Sequence, residues 1–402
     1  MELIQYNGHP VGQYIVHEAW NSNESAAVFM KIKEMNTANH EHDDAGVFEI
    51  YYKGMLTSDG GCYNVYGKPQ TKYFHKATIS HNGLIIFNPS KWDYSSSDLS
   101  KKWYSGSQIS PGAINSFDEF LTLEYCKTGT VTGRQHGYFD GDIARPEYAY
   151  IAGDITAAYP KDTVSYVGRR MLTVYTGDES FPMVFFVYDD ITALSASYEK
   201  RFLLQISSME EPTVNEAEKT IITENGDGRL VLACLSDGVS FNKVGGRNNG
   251  TYSAKLSMNY AINGHQCLPE SDSADDKHWG RVEITAPTTS KESTFMNLLY
   301  VTDRGQTKAA PTIDRIMGEG VQGGAFGEIA AVFATSRDRE EDTLSFTTTG
   351  GDVMRYYVCG LAEGEWSISI DGKFYDVCAA SADGGMLTFT APAGSVVITH
   401  KR

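Results

Sequence analysis

The sequence has 402 residues and a formal net charge of −17, from 34 basic and 51 acidic side chains. Its hydrophobic fraction of 41% and charged fraction of 21% are ordinary for a folded, water-soluble chain, and its length predicts two domains. The acidic balance argues against non-specific nucleic-acid binding. The longest apolar run, at residues 181–188, is far too short to span a bilayer.

The first residues, MELIQYNGHPVGQYIV, contain neither a basic region nor the apolar core of an export signal. The chain is therefore either cytosolic or the mature part of an exported protein. Six cysteines are widely spaced and form no C-x-x-C pair, which argues against a zinc ribbon or a thioredoxin-type site. Their spacing is typical of isolated core thiols or of one or two disulfides.

Fifteen short apolar or alternating runs recur between residues 26 and 400, separated by Gly, Asn, Asp and Ser, and helical periodicity is nearly absent. Examples are GVFEIYYKG (46–54) and FPMVFFVYDD (181–190). This pattern predicts an all-β fold of stacked antiparallel sheets followed by a smaller β-sandwich. An acidic segment with one proline, at 209–228, predicts a boundary between domains at 1–222 and 223–402.

The stretch NTANHEHDDAG carries two histidines, His40 and His42, just before a strand-like run. On a strand, residues two apart share a face, so these rings would lie roughly 7 Å apart. Asp59 follows the next predicted strand and His81 precedes a later one, so both stand at strand edges. Zinc usually takes three or four ligands from such residue types.

Spacing alone leaves three interpretations of these residues open. They form a zinc site, or they are hydrogen-bonded loop residues near a sheet edge, or they belong to a cupin-like metal site. In the cupin interpretation Glu49 would supply a further ligand, although it lies in a run that predicts a core strand.

A basic and aromatic segment, KPQTKYFHK at residues 68–76, is interpreted as a loop and makes Lys72 a candidate contact for an anionic sugar chain. The alternative is a solvated loop. Tyr63 is a candidate for stacking on sugars, with ordinary packing as its alternative. Arg169 and Arg170 lie in a predicted strand, where we expect at least one to pair with a carboxylate.

Several motifs follow one another in an order typical of one family: PVGQYIVHEAW, NHEHDDAGVFEIYYKGMLTSDGGCY, KATISHNGLIIFNP, GDITAAYP, FFVYDDI and HWGRVEITAP…FMNLLYVTD. The chain resembles the C-terminal β-sheet region of the heparinase II/III family of polysaccharide lyases, closest to the heparinase II type. The likeness is strong over residues 10–305 and loose over the last hundred residues.

This resemblance implies cleavage of uronic-acid-containing polysaccharides by β-elimination, in a cleft between an N-terminal (α/α) toroid and the β region. It implies that His42, Asp59 and His81 hold a structural zinc ion and that His40 enters the active site from the β side. No segment of this sequence resembles the toroid. We therefore expect the β portion of a longer lyase or a natural stand-alone relative.

The implied partners are an acidic polysaccharide such as heparin or heparan sulfate, an N-terminal toroid that this chain lacks and, as an option, a second copy in a homodimer. The implied location is periplasmic or secreted. The alternative function is a non-catalytic carbohydrate-binding or structural module.

Overall fold

The computed structural model describes residues 2–21, 23–37, 40–61, 67–109, 116–118, 124–246, 259–267, 278–351 and 353–401. Within these ranges nearly every regular element is a strand. The first fourteen strands are β1 (Ile4–Asn7), β2 (Gln13–His17), β3 (Ala27–Lys31), β4 (Val47–Tyr51), β5 (Met55–Thr57), β6 (Leu84–Phe87), β7 (Thr130–Tyr138), β8 (Pro146–Asp154), β9 (Val164–Tyr175), β10 (Met183–Ala193), β11 (Glu199–Ile206), β12 (Thr213–Asn215), β13 (Thr220–Asn225) and β14 (Gly228–Cys234).

The other strands are β15 (Ser240–Gly245), β16 (Ala261–Ile262), β17 (His265–Gln266), β18 (Gly280–Thr285), β19 (Glu292–Asp303), β20 (Ile313–Glu319), β21 (Val321–Phe326), β22 (Ile329–Ala334), β23 (Leu344–Thr347), β24 (Met354–Cys359), β25 (Gly364–Ile370), β26 (Lys373–Ala380), β27 (Met386–Ala391) and β28 (Ser395–His400). The described helical segments are short: α1 (Leu99–Lys102), a π-helical turn (Thr71–His75) and 3₁₀ turns at Thr78–Ser80, Pro89–Lys91, Glu124–Cys126, Phe139–Gly141 and Thr156–Ala158. None of the described helices is long and apolar enough to cross a membrane.

The strands form four larger sheets and one small hairpin. Their orders are β1-β2-β3-β4-β5, β12-β13-β14-β19-β10-β9-β8-β7, β15-β18-β11-β6, β16-β17 and β26-β25-β28-β23-β20-β21-β22-β24-β27. Pairing is antiparallel except between β22 and β24, which are parallel because the intervening β23 pairs on the far side of β20. The all-β prediction of stacked sheets is confirmed.

The eight-stranded sheet is the middle layer, and both of its faces are buried. One face packs against the five- and four-stranded sheets in a shared core that includes Phe48, Phe185 and Phe202. The other face packs against the nine-stranded sheet, where Tyr188 stacks on Phe333 with ring centroids 5.7 Å apart. Successive residues of β10 alternate between these two cores, which is why this strand is a continuous apolar run in the sequence.

The nine-stranded sheet curls around a core of its own, centred on the fully buried Trp366. All of its strands lie after residue 312, whereas β13 and β14 belong to the eight-stranded sheet with β7–β10. The predicted boundary at 222/223 thus falls inside β13, and the division into two domains stays a prediction.

The cysteines that the structure describes are all free thiols, and four of the five are buried. They are Cys126, Cys234, Cys267, Cys359 and Cys378. Among described residues the alternative of isolated thiols is therefore observed rather than disulfides. Cys62 lies outside the described residues.

Candidate functional site

Three of the predicted site residues converge at the junction of the five- and four-stranded sheets. One ligand atom from each of His42, Asp59 and His81 lies within 4.8 Å of the others. Nδ1 of His81 lies 2.5 Å from Oδ1 of Asp59, and Nδ1 of His42 lies 3.7 Å from Oδ2 of the same carboxylate. The rings of His42 and His81 have centroids 5.1 Å apart. A single cation between them would contact all three side chains.

His42 lies in a loop that precedes β4, so the same-face spacing of a strand does not apply to residues 40–42. The backbone N–H of Asp43 donates to the carbonyl of Lys76 at 2.7 Å instead of to a neighbouring strand. The carbonyl of His42 accepts from Nζ of Lys33 at 2.6 Å and from Nδ2 of Asn36 at 3.1 Å. This loop is therefore held by one backbone hydrogen bond and by side-chain donors, and strand pairing has no part in it.

Asp59 follows β5 and His81 precedes β6, as the sequence predicts, and both segments are tied to β11. Thr57 donates to the carbonyl of Gln205 at 2.8 Å, two residues before Asp59. The side-chain amide of Gln205 donates to the carbonyl of His81 at 3.1 Å. Because these contacts are buried, the two ligand-bearing segments keep a fixed separation.

Asn82, next to His81, connects the two sheets. Its amide Nδ2 donates to the carbonyl of Phe48 at 2.8 Å, and its Oδ1 accepts from the backbone N–H of Gln205 at 2.8 Å. The Oδ1 atom also lies 2.9 Å from the hydroxyl of Thr57, whose one proton it shares with the carbonyl of Gln205. The side chain thus links β4, β5 and β11 directly behind the cluster of His42, Asp59 and His81.

Arg169 of β9 contacts two of the segments that carry the cluster, the one that follows His42 and the one that follows His81. Its guanidinium pairs with Asp189 through Nε at 2.6 Å and Nη2 at 2.9 Å, and both side chains are completely buried. Its Nη1 donates to the carbonyl oxygens of Gly46 and, at 2.9 Å, of Asn82. The expected pairing of at least one of the two adjacent arginines with a carboxylate is confirmed.

The two imidazoles have different electrostatic environments. Burial, helped by the neighbouring His81, lowers the pKa of His42 to about 4, so this ring is neutral near pH 7. Burial also disfavours charge on His81, but the Asp59 carboxylate outweighs it and raises the pKa of His81. A neutral imidazole is the form that binds a metal, and His42 has it already.

Asp44 gives the neighbourhood a buried negative charge with two cationic partners. Lys31 pairs with one of its oxygens, and Nζ of Lys33 lies 3.0 Å from the other. Burial alone would raise the pKa of Asp44, but the two ammonium groups hold it well below its usual range. This buried triad fixes the loop two residues after His42.

The residues fit a zinc ion by type and by placement. Two imidazoles and one carboxylate are a common zinc ligand set, and the ligand atoms of a tetrahedral site lie about 3.3 Å apart. The 3.7 Å contact is close to that value, whereas the 2.5 Å contact is a hydrogen bond that a cation would replace. Within the described structure, Nε2 of His81 is buried and has no hydrogen-bond partner. This nitrogen points away from Asp59, so it is not the atom that would bind a cation held between the three side chains; that atom is Nδ1.

The cupin alternative fits less well. Glu49 is half-buried on β4, and burial together with Asp59 raises its pKa to about 7, but it is not one of the clustered ligand atoms among described residues. Cupins are eight-stranded jelly rolls. The described strands form layered sheets instead.

The other predicted residues have different outcomes. His40 lies in an exposed turn two residues before His42. Lys72 is exposed, but its segment is not a loop, because residues 69–75 are helical. Tyr63 lies outside the described residues. The structure therefore brings the three metal-ligand candidates together and leaves the roles of His40, Lys72 and Tyr63 as predictions.

The sequence analysis did not identify the residues that hold the site. Asn82 and Gln205 act through contacts with segments far away in the chain, and Lys33 and Asp44 act through contacts within residues 31–44. The one available signal was a lysine pair, Lys31 and Lys33, at the end of a strand and facing an acidic loop.

Comparisons with known proteins agree on one family. A family described as heparinase II/III-like, C-terminal, matches residues 7–266, and one described as heparinase II C-terminal domain matches residues 316–400. No curated protein sequence matches the chain significantly.

Two solved structures that share the fold are heparan sulfate lyases by name. Heparan sulfate lyase HepC from Pedobacter heparinus matches with a TM-score of 0.52 and 14% identity, over 95% of this chain and 43% of that chain. A mutant of the same lyase matches with a TM-score of 0.51 and 14% identity, over 81% and 41%. The chain thus spans less than half the length of these proteins. At this identity the likeness shows the fold alone.

Proposed function

The chain belongs to the heparinase II/III-like C-terminal family, and from that premise we propose that it is the β portion of a polysaccharide lyase. Its substrate is an acidic, uronic-acid-containing polysaccharide of the heparin or heparan sulfate type, cleaved by β-elimination. The observation that carries this proposal is the convergence of His42, Asp59 and His81. His42 is two residues after His40 in the sequence.

β-Elimination needs a base, an acid and a group that offsets the uronate charge. The base takes the C5 proton, the electron pair forms the C4–C5 double bond, and the C4–O bond breaks. The leaving oxygen then receives a proton. We assign His40 to the base role or to a contact with the uronate carboxylate, because imidazole changes charge near neutral pH.

A zinc ion bound by His42, Asp59 and His81 has a structural role in this proposal: it links three chain segments and so fixes the turn that carries His40. Gln205, Asn82 and Arg169 already hold those segments from the protein side. In this proposal His42 and His81 are positioning residues, because they fix the turn that carries His40. His40 is the residue that contacts the substrate.

The test uses the protein as its gene encodes it, with heparin, heparan sulfate, alginate and chondroitin as separate substrates. We expect an ultraviolet absorbance from the unsaturated uronate with at least one of them. His40→Gln should lower the turnover by about 100-fold or more, in the range of a lost general base. His9→Gln, at an exposed histidine paired with Glu34, is the matched control. An unchanged rate in His40→Gln would remove this residue from the mechanism.

The second candidate is a non-catalytic carbohydrate-binding module. A cavity lined by lysines and aromatic residues, beside the loop of His42, favours it. Binding of acidic polysaccharide with no unsaturated product from any substrate would support this candidate over the lyase.

A further inference from the structure

A cavity of about 810 Å³ opens beside the loop that carries His42. Glu41 and Asp43, the two residues that flank His42, are among its lining residues. One wall carries Lys68, Lys72 and Lys76, which we call the lysine row. The lining also includes Trp103 and Tyr104, aromatic residues that directly follow α1.

The lysine row faces the cavity because its segment is helical and the lysines are four residues apart. The backbone N–H of Lys72 donates to the carbonyl of Lys68 at 3.2 Å, and that of Lys76 donates to the carbonyl of Thr71 at 3.0 Å. Residues four apart share one face of a helix. The opposite face is buried, with Phe74 packed at 5.1 Å between ring centroids on Tyr260. The core therefore fixes which side of the segment presents the lysines.

The cavity lining holds three lysines and two carboxylates, on a strongly acidic protein. Lys72 is exposed, and in the described part of the chain it has no carboxylate within ion-pair distance; its ammonium lies 5.2 Å from the ring centroid of Tyr73. Of the two acidic lining residues, Glu41 has a cationic partner, with Oε2 3.2 Å from Nζ of Lys33, and Asp43 accepts from Nδ2 of Asn36 at 3.4 Å. Screening over about 8 Å at physiological salt lets such a local field act despite the net charge.

Trp103 gives the cavity a flat apolar surface. It is half-buried against the cluster that contains Phe74, and Tyr94 holds it edge-on with centroids 5.8 Å apart. Ligand sites commonly combine aromatic walls with a few charged groups that set orientation. An aromatic surface with a row of cations matches a sugar that carries anionic groups better than it matches a neutral sugar or an apolar molecule.

We propose that this cavity is a binding subsite for an anionic sugar unit of the polysaccharide. The lysine row contacts its sulfate or carboxylate groups, and the sugar ring packs on Trp103. The assignment deepens the proposed function and rests on it for the identity of the polymer. It places the subsite next to the His42 loop, through Glu41 and Asp43.

The experiment measures binding by calorimetry of three oligosaccharides of equal length: sulfated uronate, unsulfated uronate and neutral. The full protein is used, and circular dichroism checks the fold of each variant. Replacing Lys72 by Gln should weaken binding of the anionic oligosaccharides up to about fivefold, because exposed ion pairs are individually modest. The triple variant Lys68→Gln, Lys72→Gln, Lys76→Gln should weaken it by about tenfold or more. It should also flatten the salt dependence.

Lys373→Gln is the matched control, since this lysine is exposed on β26 in the nine-stranded sheet and the substitution removes the same charge. Trp103→Ala should weaken binding of both anionic oligosaccharides. A larger loss for the sulfated than for the unsulfated oligosaccharide in the triple variant assigns the row to sulfate, and equal losses assign it to carboxylate.

Equal affinities of the wild type and the triple variant for both anionic oligosaccharides would overturn the proposal, as would tighter binding of the neutral one. These outcomes are separable from failure of the lyase proposal. If the triple variant binds more weakly and no unsaturated product forms, the subsite is supported and the lyase proposal is wrong. If product forms and the triple variant binds as tightly as the wild type, the lyase proposal is supported and the subsite proposal is wrong.

Discussion

Replacing Arg169 by Met tests whether the buried pair beneath the site determines both stability and metal binding. The side chain is completely buried, and so is its partner Asp189. Removing one partner of such a pair leaves an uncompensated charge and costs roughly 3–5 kcal/mol. The carbonyls of Gly46 and Asn82 would each lose a donor as well, at about 1–3 kcal/mol apiece when left unpaired.

These costs overlap, so we expect a total loss of about 4–6 kcal/mol, a large share of the roughly 5–15 kcal/mol that stabilises a typical domain. Burial raises the pKa of Asp189, so without Arg169 this carboxyl would take up a proton rather than stay charged. The double variant Arg169→Met, Asp189→Leu removes both charges. It should recover most of the loss, and the unpaired carbonyls of Gly46 and Asn82 should account for the rest.

Urea unfolding of the wild type, both single variants and the double variant gives the free energies of unfolding. Zinc content after dialysis gives the second measurement. The double variant should recover stability but not zinc affinity, because the carbonyls beside the His42 loop and His81 still lack their donor. A loss below about 1 kcal/mol in Arg169→Met, or a double variant no more stable than the single one, would refute the reasoning.

Two further predictions concern the metal cluster and acid stability. His42→Ala should lower zinc content, melting temperature and activity together. A chelator should have the same effect on the wild type and should not lower the melting temperature or activity of the variant further. A variant with as much zinc as the wild type would contradict the ligand assignment. Burial alone would raise the pKa of Glu283, but Arg281 and Arg201 outweigh it and hold it below the ordinary 4.5. The unfolded chain then binds this proton first, so the stabilisation is present above pH 4.5 and is lost as the pH falls below it. Acid unfolding curves should show that Glu283→Gln is less stable than the wild type near pH 7 and that its free energy of unfolding falls less than that of the wild type below pH 4.5. Parallel curves for the two proteins would contradict this.

The spacing of short alternating runs determined the all-β fold, because residues two apart on a strand share a face whatever the rest of the chain does. The apolar run at 181–190 likewise predicted a strand, and the structure shows that this strand, β10, is buried on both faces. The sequence order of His42, Asp59 and His81, each next to a strand end, was enough to nominate them as neighbours. It was not enough to show that the H-x-H segment is a loop, because that depends on backbone hydrogen bonds to residues such as Lys76.

Only the tertiary structure decided which groups meet. Arg169 pairs with Asp189 because β9 and β10 align these two residues directly opposite each other, a register that neither strand contains by itself. The orientation of the helical segment with the lysine row depends on the packing of Phe74 on Tyr260, a contact distant in sequence. Local periodicity is fixed by backbone geometry, whereas convergence of distant side chains depends on the packing of whole sheets, and only the folded chain specifies that packing.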